Sequence, residues 1–145
     1  MYTILIANIK TILDTLTGTG QPLSIVYDYP TSDISGFPAV MFNPSSFENE
    51  FMSVSENKLG YSFDIFVICE TKVAGKQTAF NTILANAVDK VIEKFKDEWD
   101  GGTTSDGHRI WYKIDSGIWG VDMIQDSECV IAQLKLTIKL ASNVA

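Results

Sequence analysis

From residue 61 to residue 69 every second position is apolar or nearly so. Tyr61, Phe63, Ile65, Val67 and Cys69 alternate with a set that includes Ser62 and Asp64, the period-2 pattern of a half-buried strand. After a break at residues 71–75 the period changes. Phe80, Ile83, Leu84, Ala87, Val88, Val91, Ile92, Phe95 and Trp99 follow helical spacing, which predicts one amphipathic helix of about 20 residues, near 30 Å long. Its other face pairs Lys90 with Glu93, Glu93 with Lys96 and Lys94 with Glu98 at i+3 or i+4, a solvated arrangement. Strand and helix together can organise a core, and neither carries chemistry.

The remaining pattern fills in around this pair. Leu5, Ile9, Ile12, Leu13 and Leu16 mark one face of an N-terminal helix, which should stop at residues 17–20, where Gly18 and Gly20 allow a left-handed cap. Residues 23–27 read as a short strand and residues 28–37 as a loop rich in Asp, Pro, Ser and Gly. Residues 38–43 are extended again, and Pro44 argues against a central strand continuing there. A hairpin is expected over residues 47–69, turning at Glu56-Asn57-Lys58. Its first arm mixes Phe51 and Met52 with Glu48, Asn49 and Glu50, anchors and acids suited to a partner surface or, equally, apolar residues that complete the core.

Asp100-Gly101-Gly102 should end the long helix and residues 103–107 extend a loop. Strands follow at residues 108–114 and 117–124. The run from Val130 to Leu140 is the most regular, with Val130, Ala132, Leu134, Leu136, Ile138 and Leu140 on one face; it belongs beside the Tyr61 strand in the middle of a sheet. The order of elements predicts a single α+β domain over residues 1–145: a mixed, largely antiparallel sheet covered on one side by two helices, with a projecting β-hairpin.

Composition narrows the function classes. The chain has 145 residues, 46% hydrophobic and 20% charged, with a formal charge of −7, enough for one core and unsuited to gripping nucleic-acid phosphates. No apolar run reaches the roughly 18 residues of a membrane span, and no signal-peptide pattern opens the chain. Cys69 and Cys129 lie far apart on predicted strands and read as buried thiols in a reduced compartment, the cytoplasm. A single histidine, His108, excludes a His/Cys metal cluster. His108 with Asp106 or Asp115 could formally make a triad, but no Gly-x-Ser-x-Gly elbow accompanies it. Gly18-Thr19-Gly20 lacks the third glycine of a dinucleotide loop, and no phosphate loop occurs. The expectation is therefore no enzyme, no cofactor and no metal.

Several stretches carry a resemblance. Met1-Tyr2-Thr3-Ile4-Leu5 through Ile9-Lys10-Thr11-Ile12-Leu13, Val26-Tyr27-Asp28-Tyr29-Pro30, Gly36-Phe37-Pro38-Ala39-Val40, Tyr61-Ser62-Phe63-Asp64-Ile65-Phe66-Val67 and Asp89-Lys90-Val91-Ile92-Glu93 resemble the small tail terminator, or tail completion, proteins of long-tailed phages. The likeness covers most of the first hundred residues and fades in the last third. It implies a structural protein of the virion tail or neck, assembled in the host cytoplasm. Such a protein forms a ring, usually of six subunits, that caps the tail tube protein, stops its polymerisation and meets the head connector protein. DNA would pass through without specific binding, which the negative charge suits. Ring closure requires one edge of a subunit to meet a different edge of the next. Phe51, Met52, Trp111 and Trp119 are the candidate interface residues, tryptophan being common at binding hot spots, although both tryptophans would equally serve a core. Alternatives are another neck or connector ring, a tail tube subunit, or a small ligand-binding domain or enzyme.

Overall fold

The computed structural model describes residues 1–51, 56–104 and 107–143. Six strands form one sheet: β1 (Ile25–Tyr27), β2 (Ala39–Phe51), β3 (Glu56–Glu70), β4 (Asp100–Thr103), β5 (Arg109–Ile124) and β6 (Ser127–Asn143). Their spatial order is β1-β2-β3-β6-β5-β4. Only β1 and β2 are parallel; every other pairing is antiparallel. The expected α+β class and mixed, largely antiparallel sheet are present. β6 lies beside β3 at the centre, as its regular alternation predicted.

Helix α1 (Tyr2–Asp14) and the long helix, residues 76–97, cover one face of this sheet. Leu5, Ile9 and Leu13 of α1, and Leu84, Ala87, Val88, Val91 and Phe95 of the long helix, join Phe63, Ile65, Leu136 and Ile138 in one buried cluster. Tyr2 stands edge-on to Tyr61 at 4.8 Å, and Phe95 edge-on to Tyr112 at 5.8 Å, the geometry aromatic rings prefer. α1 ends earlier than the glycines suggested. The hydroxyls of Thr15 and Thr17 donate to the carbonyls of Ile12 and Asp14, satisfying the last turn before Gly18 is reached.

The long helix is not uniform. Lys76–Thr78 is α-helical, Ala79–Leu84 is π-helical and Ala85–Asp97 is α-helical again. It stops at Asp97, so Trp99 leaves the apolar face assigned to it and is 55% exposed.

The opposite, open face is covered only in part. Tyr27, Ile34 and Phe37, from β1 and the segment leading into β2, pack on Met41, Ile68 and Cys129. Ser24 anchors that segment, donating its backbone N–H to the Pro38 carbonyl and its hydroxyl to the Phe37 carbonyl. Cys69 and Cys129 are free and buried on opposite sides of the sheet.

Four expectations change. β2 is continuous from Ala39 to Phe51, not two segments, because Pro44 is absorbed by a register shift between Pro44 and Ser46; proline is tolerated at such a bulge. β2 and β3 pair as a hairpin, but Glu56-Asn57-Lys58, expected to be its turn, belong to β3, where Lys58 and Asn57 pair with Glu50 and Phe51; Met52 lies outside the described residues. β5 is likewise one strand, with a shift between Ile114 and Ser116. The loop expected after the long helix contains β4.

Candidate interaction surface

Which edges of the sheet are occupied follows from the lengths of the outer strands. β4 pairs with β5 only at Arg109, Ile110 and Trp111, and one further bond runs from the Tyr112 N–H to the Trp99 carbonyl. Among the described residues only β6 pairs with β5 from Lys113 to Ile124, so the outer edge is open there. At the other side β1 reaches only Ala39–Met41, and no described strand lies against β2 beyond Met41. The two open edges sit at diagonally opposite corners. Such edges present unpaired N–H and C=O groups, which proteins usually guard with charge, proline or a bulge.

β2 is guarded by Pro44 and its bulge. β5 is not guarded in the same way: from Gly117 to Ile124 the only charge is Asp122. Ile118, Trp119, Val121 and Met123 are 67%, 46%, 46% and 60% exposed, far more than strand residues facing a core. This stretch is held extended by β6. Gly117 suits the close approach there, since a Cβ would stand 2.8 Å from the Leu134 side chain and 3.3 Å from the Gln133 carbonyl oxygen. The strand turns back through Gln125 and Asp126, both at positive φ, as a two-residue type I′ hairpin turn demands.

The bulge at Asp115 decides which way each side chain points. Before it, Ile110, Tyr112 and Ile114 pair with Leu140, Ile138 and Leu136 on the helix side; after it, Gly117, Trp119 and Val121 pair with Leu134, Ala132 and Val130 on that side. Trp111 and Trp119 therefore lie on opposite faces, although eight residues of unbroken strand would have set them on one. Trp119 stacks at a tilt on Phe80 of the π-helical segment, ring centres 5.6 Å apart. Trp111 is on the open face under the Arg109 guanidinium, 5.8 Å from its ring centre. Arg109 also pairs with Asp100 at 2.8 Å. Beside it, Trp99, Trp111, Lys113, Thr137 and Lys139 line an open groove of about 610 Å³ at the start of the free edge.

Of the four interface candidates, the structure places Trp111 and Trp119 on one strand but on opposite faces, Trp111 where β4 covers the edge and Trp119 within its open part. Phe51 ends β2 across the sheet, its side chain outside the described residues, as is Met52. Sequence reading missed Trp99, Ile118, Val121 and Met123. A signal existed: residues 118, 119, 121, 123 and 124 are apolar at both parities, which no strand with a solvated face needs.

The charge is distributed unevenly. Lys113, Lys135 and Lys139 are all exposed on the open face, with Asp64 and Asp115 near them. Glu70 and Asp122, both opposite Cys129, lie on the same face, so acids and lysines are mixed there.

Among the described residues the contacts bring no set of groups suited to catalysis together. His108 sits in a turn where its backbone N–H donates to Thr104 Oγ1; Asp106 lies outside the described residues. Asp115 accepts the Thr137 hydroxyl and faces Lys113 at 3.8 Å. Among the described residues no three His, Cys, Asp or Glu side chains could hold one metal ion, and no helix is long and apolar enough to cross a membrane. A second open cleft, about 470 Å³, lies between α1 and the start of β4, lined by Asn8, Thr11, Glu98, Thr103 and Tyr112. Burial raises the Tyr112 hydroxyl above its usual pKa, while Asn8 hydrogen-bonds it, so it remains a neutral phenol tying α1 to the sheet.

No protein-family model matches the chain, and no curated protein matches it.

Proposed function

We propose that this protein is a structural ring subunit, a hexamer, that caps the tail tube of a long-tailed phage, stops its polymerisation and offers its other side to the head connector. The observation that supports it best is the free edge of β5 with Ile118, Trp119, Val121 and Met123 each at least 46% exposed. A subunit that worked alone would leave this edge in water, where apolar exposure and unpaired backbone favour association. The resemblance in the first hundred residues supplies the tail; the edge supplies only the need for a neighbour. DNA passes through the ring without sequence-specific contact in this reading.

Electron microscopy of the purified protein tests it, followed by mixing with tail tubes that lack a cap. Single closed rings that add one terminal density to such tubes and let them join heads are expected. Long tubes formed by the protein alone would make it a tube subunit instead. A monomer that persists at high concentration and binds no tube would end the proposal.

A further inference from the structure

We infer that the groove beside Trp111 receives the loop after β1 of a second copy of this chain, Tyr29 entering between Trp99 and Trp111 while Asp28 and Asp33 meet Lys113 and Lys139. This rests on the ring-subunit reading above and names a contact that joins the copies. Aromatic exposure, charge and placement each point to a second copy.

Among the described residues the two most exposed aromatic side chains are Trp99, at 55%, and Tyr29, at 54%. They stand at opposite sides of the sheet. Trp99, just before β4, walls the groove at the start of the free edge, and Tyr29 follows β1, the strand at the other edge. Large aromatic side chains in such positions anchor interfaces. Tyr29 is also held before any contact. Its ring stands edge-on to Tyr27 at 5.8 Å, and the Tyr27 hydroxyl accepts the Ser35 N–H farther along the loop. A loop already ordered loses little entropy on docking.

Charge is divided between the two places. The groove carries Lys113 and Lys139 with one acid, Asp115, and among the described residues no acid pairs with Lys139. The loop, residues 28–37, carries Asp28 and Asp33 and no basic residue. Both acids are exposed. Exposed opposite charges add little affinity but orient a partner, so the aromatic rings carry the contact and the acids set its direction.

The two places also lie on one face and at neighbouring heights. Ile34 and Phe37 of the loop pack on Met41 and Ile68 of the open face, where Trp111 and Lys139 also lie opposite each other. Tyr27 ends β1 beside Met41, which is level with Ile118 through Phe66 and Gln133. Because β1 is parallel to β2, the chain leaves it heading toward the heights of Phe42 to Ser46, which β5 occupies from Gly117 back to Lys113. From Ile118 to Lys113 is four strand positions with the bulge residue set aside, about 13 Å at roughly 3.3 Å each. The loop is long enough to cover that span. A copy set alongside in the same orientation therefore brings its loop to the groove with little stagger. A contact between unlike edges that produces little rise closes into a ring.

Cross-linking of the full chain tests the contact. β1 and β5 of one chain are four strand spacings apart, about 19 Å at roughly 4.8 Å each, too far for bismaleimidoethane to bridge. Ser32 in the loop and Ser116 at the groove end of the free edge are both exposed, and the native thiols are buried. Ser32→Cys/Ser116→Cys should therefore give a ladder of covalent oligomers ending at the ring number, while neither single variant links alone. Tyr29→Ala and Trp99→Ala should each raise the concentration of half-assembly roughly tenfold or more and leave the urea midpoint of the dilute protein unchanged. Lys113→Glu/Lys139→Glu should weaken assembly, and adding Asp28→Lys/Asp33→Lys should restore it, which a foreign acidic partner in the groove would not produce. Rings that survive Tyr29→Ala and give no ladder would overturn this contact and leave the ring reading standing. Links from Ser116→Cys alone would show groove meeting groove across a two-fold axis and overturn it too. A protein that is monomeric and unlinked at every concentration would overturn both.

Discussion

Gln125 and Asp126 turn β5 into β6 with φ of 49° and 63°, a conformation costly for residues with a Cβ. Replacing them by Asn-Gly, the pair this turn prefers, should stabilise the fold by about 0.5–1 kcal/mol, read as a higher denaturant midpoint at unchanged slope. Gly101 shows the opposite constraint. A Cβ there would stand 2.7 Å from the Tyr112 ring and 3.2 Å from Ile110, and both neighbours are buried. Gly101→Ala should cost about 1–3 kcal/mol by overpacking. Cys69 supplies a pH effect. Burial, with smaller contributions from Cys129 and Glu70, pushes its thiol up to about 11 from 9.0. The unfolded chain therefore releases that proton first, and stability falls as pH rises from about 9 to about 11. Urea melts across that range should show the decline, and Cys69→Ala should make its lower part shallower without removing it, since burial also raises the Cys129 thiol and, at higher pH, the Tyr61 and Tyr112 hydroxyls.

At the bulge, Asp115 is one residue more than β6 can match. Deleting Asp115 should straighten β5 and leave Ser116 and the residues after it on the sides they now occupy, because Ile114 and Ser116 already oppose the consecutive Leu136 and Lys135. The Trp119–Phe80 contact and the tryptophan emission should both be kept, whereas a red-shifted emission would show β5 slipping in register against β6. Asp115→Ala keeps the residue count and should keep the emission. Bulges also mark where the sequence was hard to read. The period of β3 and β6 announced a central pair, because both strands alternate without interruption and carry the core of both helices. β2 and β5 were each divided in two at Pro44 and Asp115, since a one-residue insertion breaks the period without ending the strand. β4 was illegible for another reason: Asp-Gly-Gly-Thr has the composition of a turn, and it is extended only because β5 pairs with it. Trp99 fitted the helical spacing of the long helix, but the chain leaves that helix after Asp97.

For the assembled protein, net charge and the β5 edge act in opposite directions. Every copy carries −7, so bringing copies together is opposed by like-charge repulsion, which salt screens over a Debye length of roughly 10 Å at 0.1 M. Burying Ile118, Trp119, Val121 and Met123 favours contact, and this contribution survives salt and grows with sulfate. Both effects have the same sign. Raising sodium chloride from about 0.05 M to about 0.5 M should shift sedimentation toward the ring, and ammonium sulfate should shift it further. An interface made chiefly of ion pairs between lysines of the open face and acids of a neighbour would respond the other way, loosening as salt rises. Rings that dissolve in high salt would therefore remove the apolar edge as the driving contact, whatever their shape.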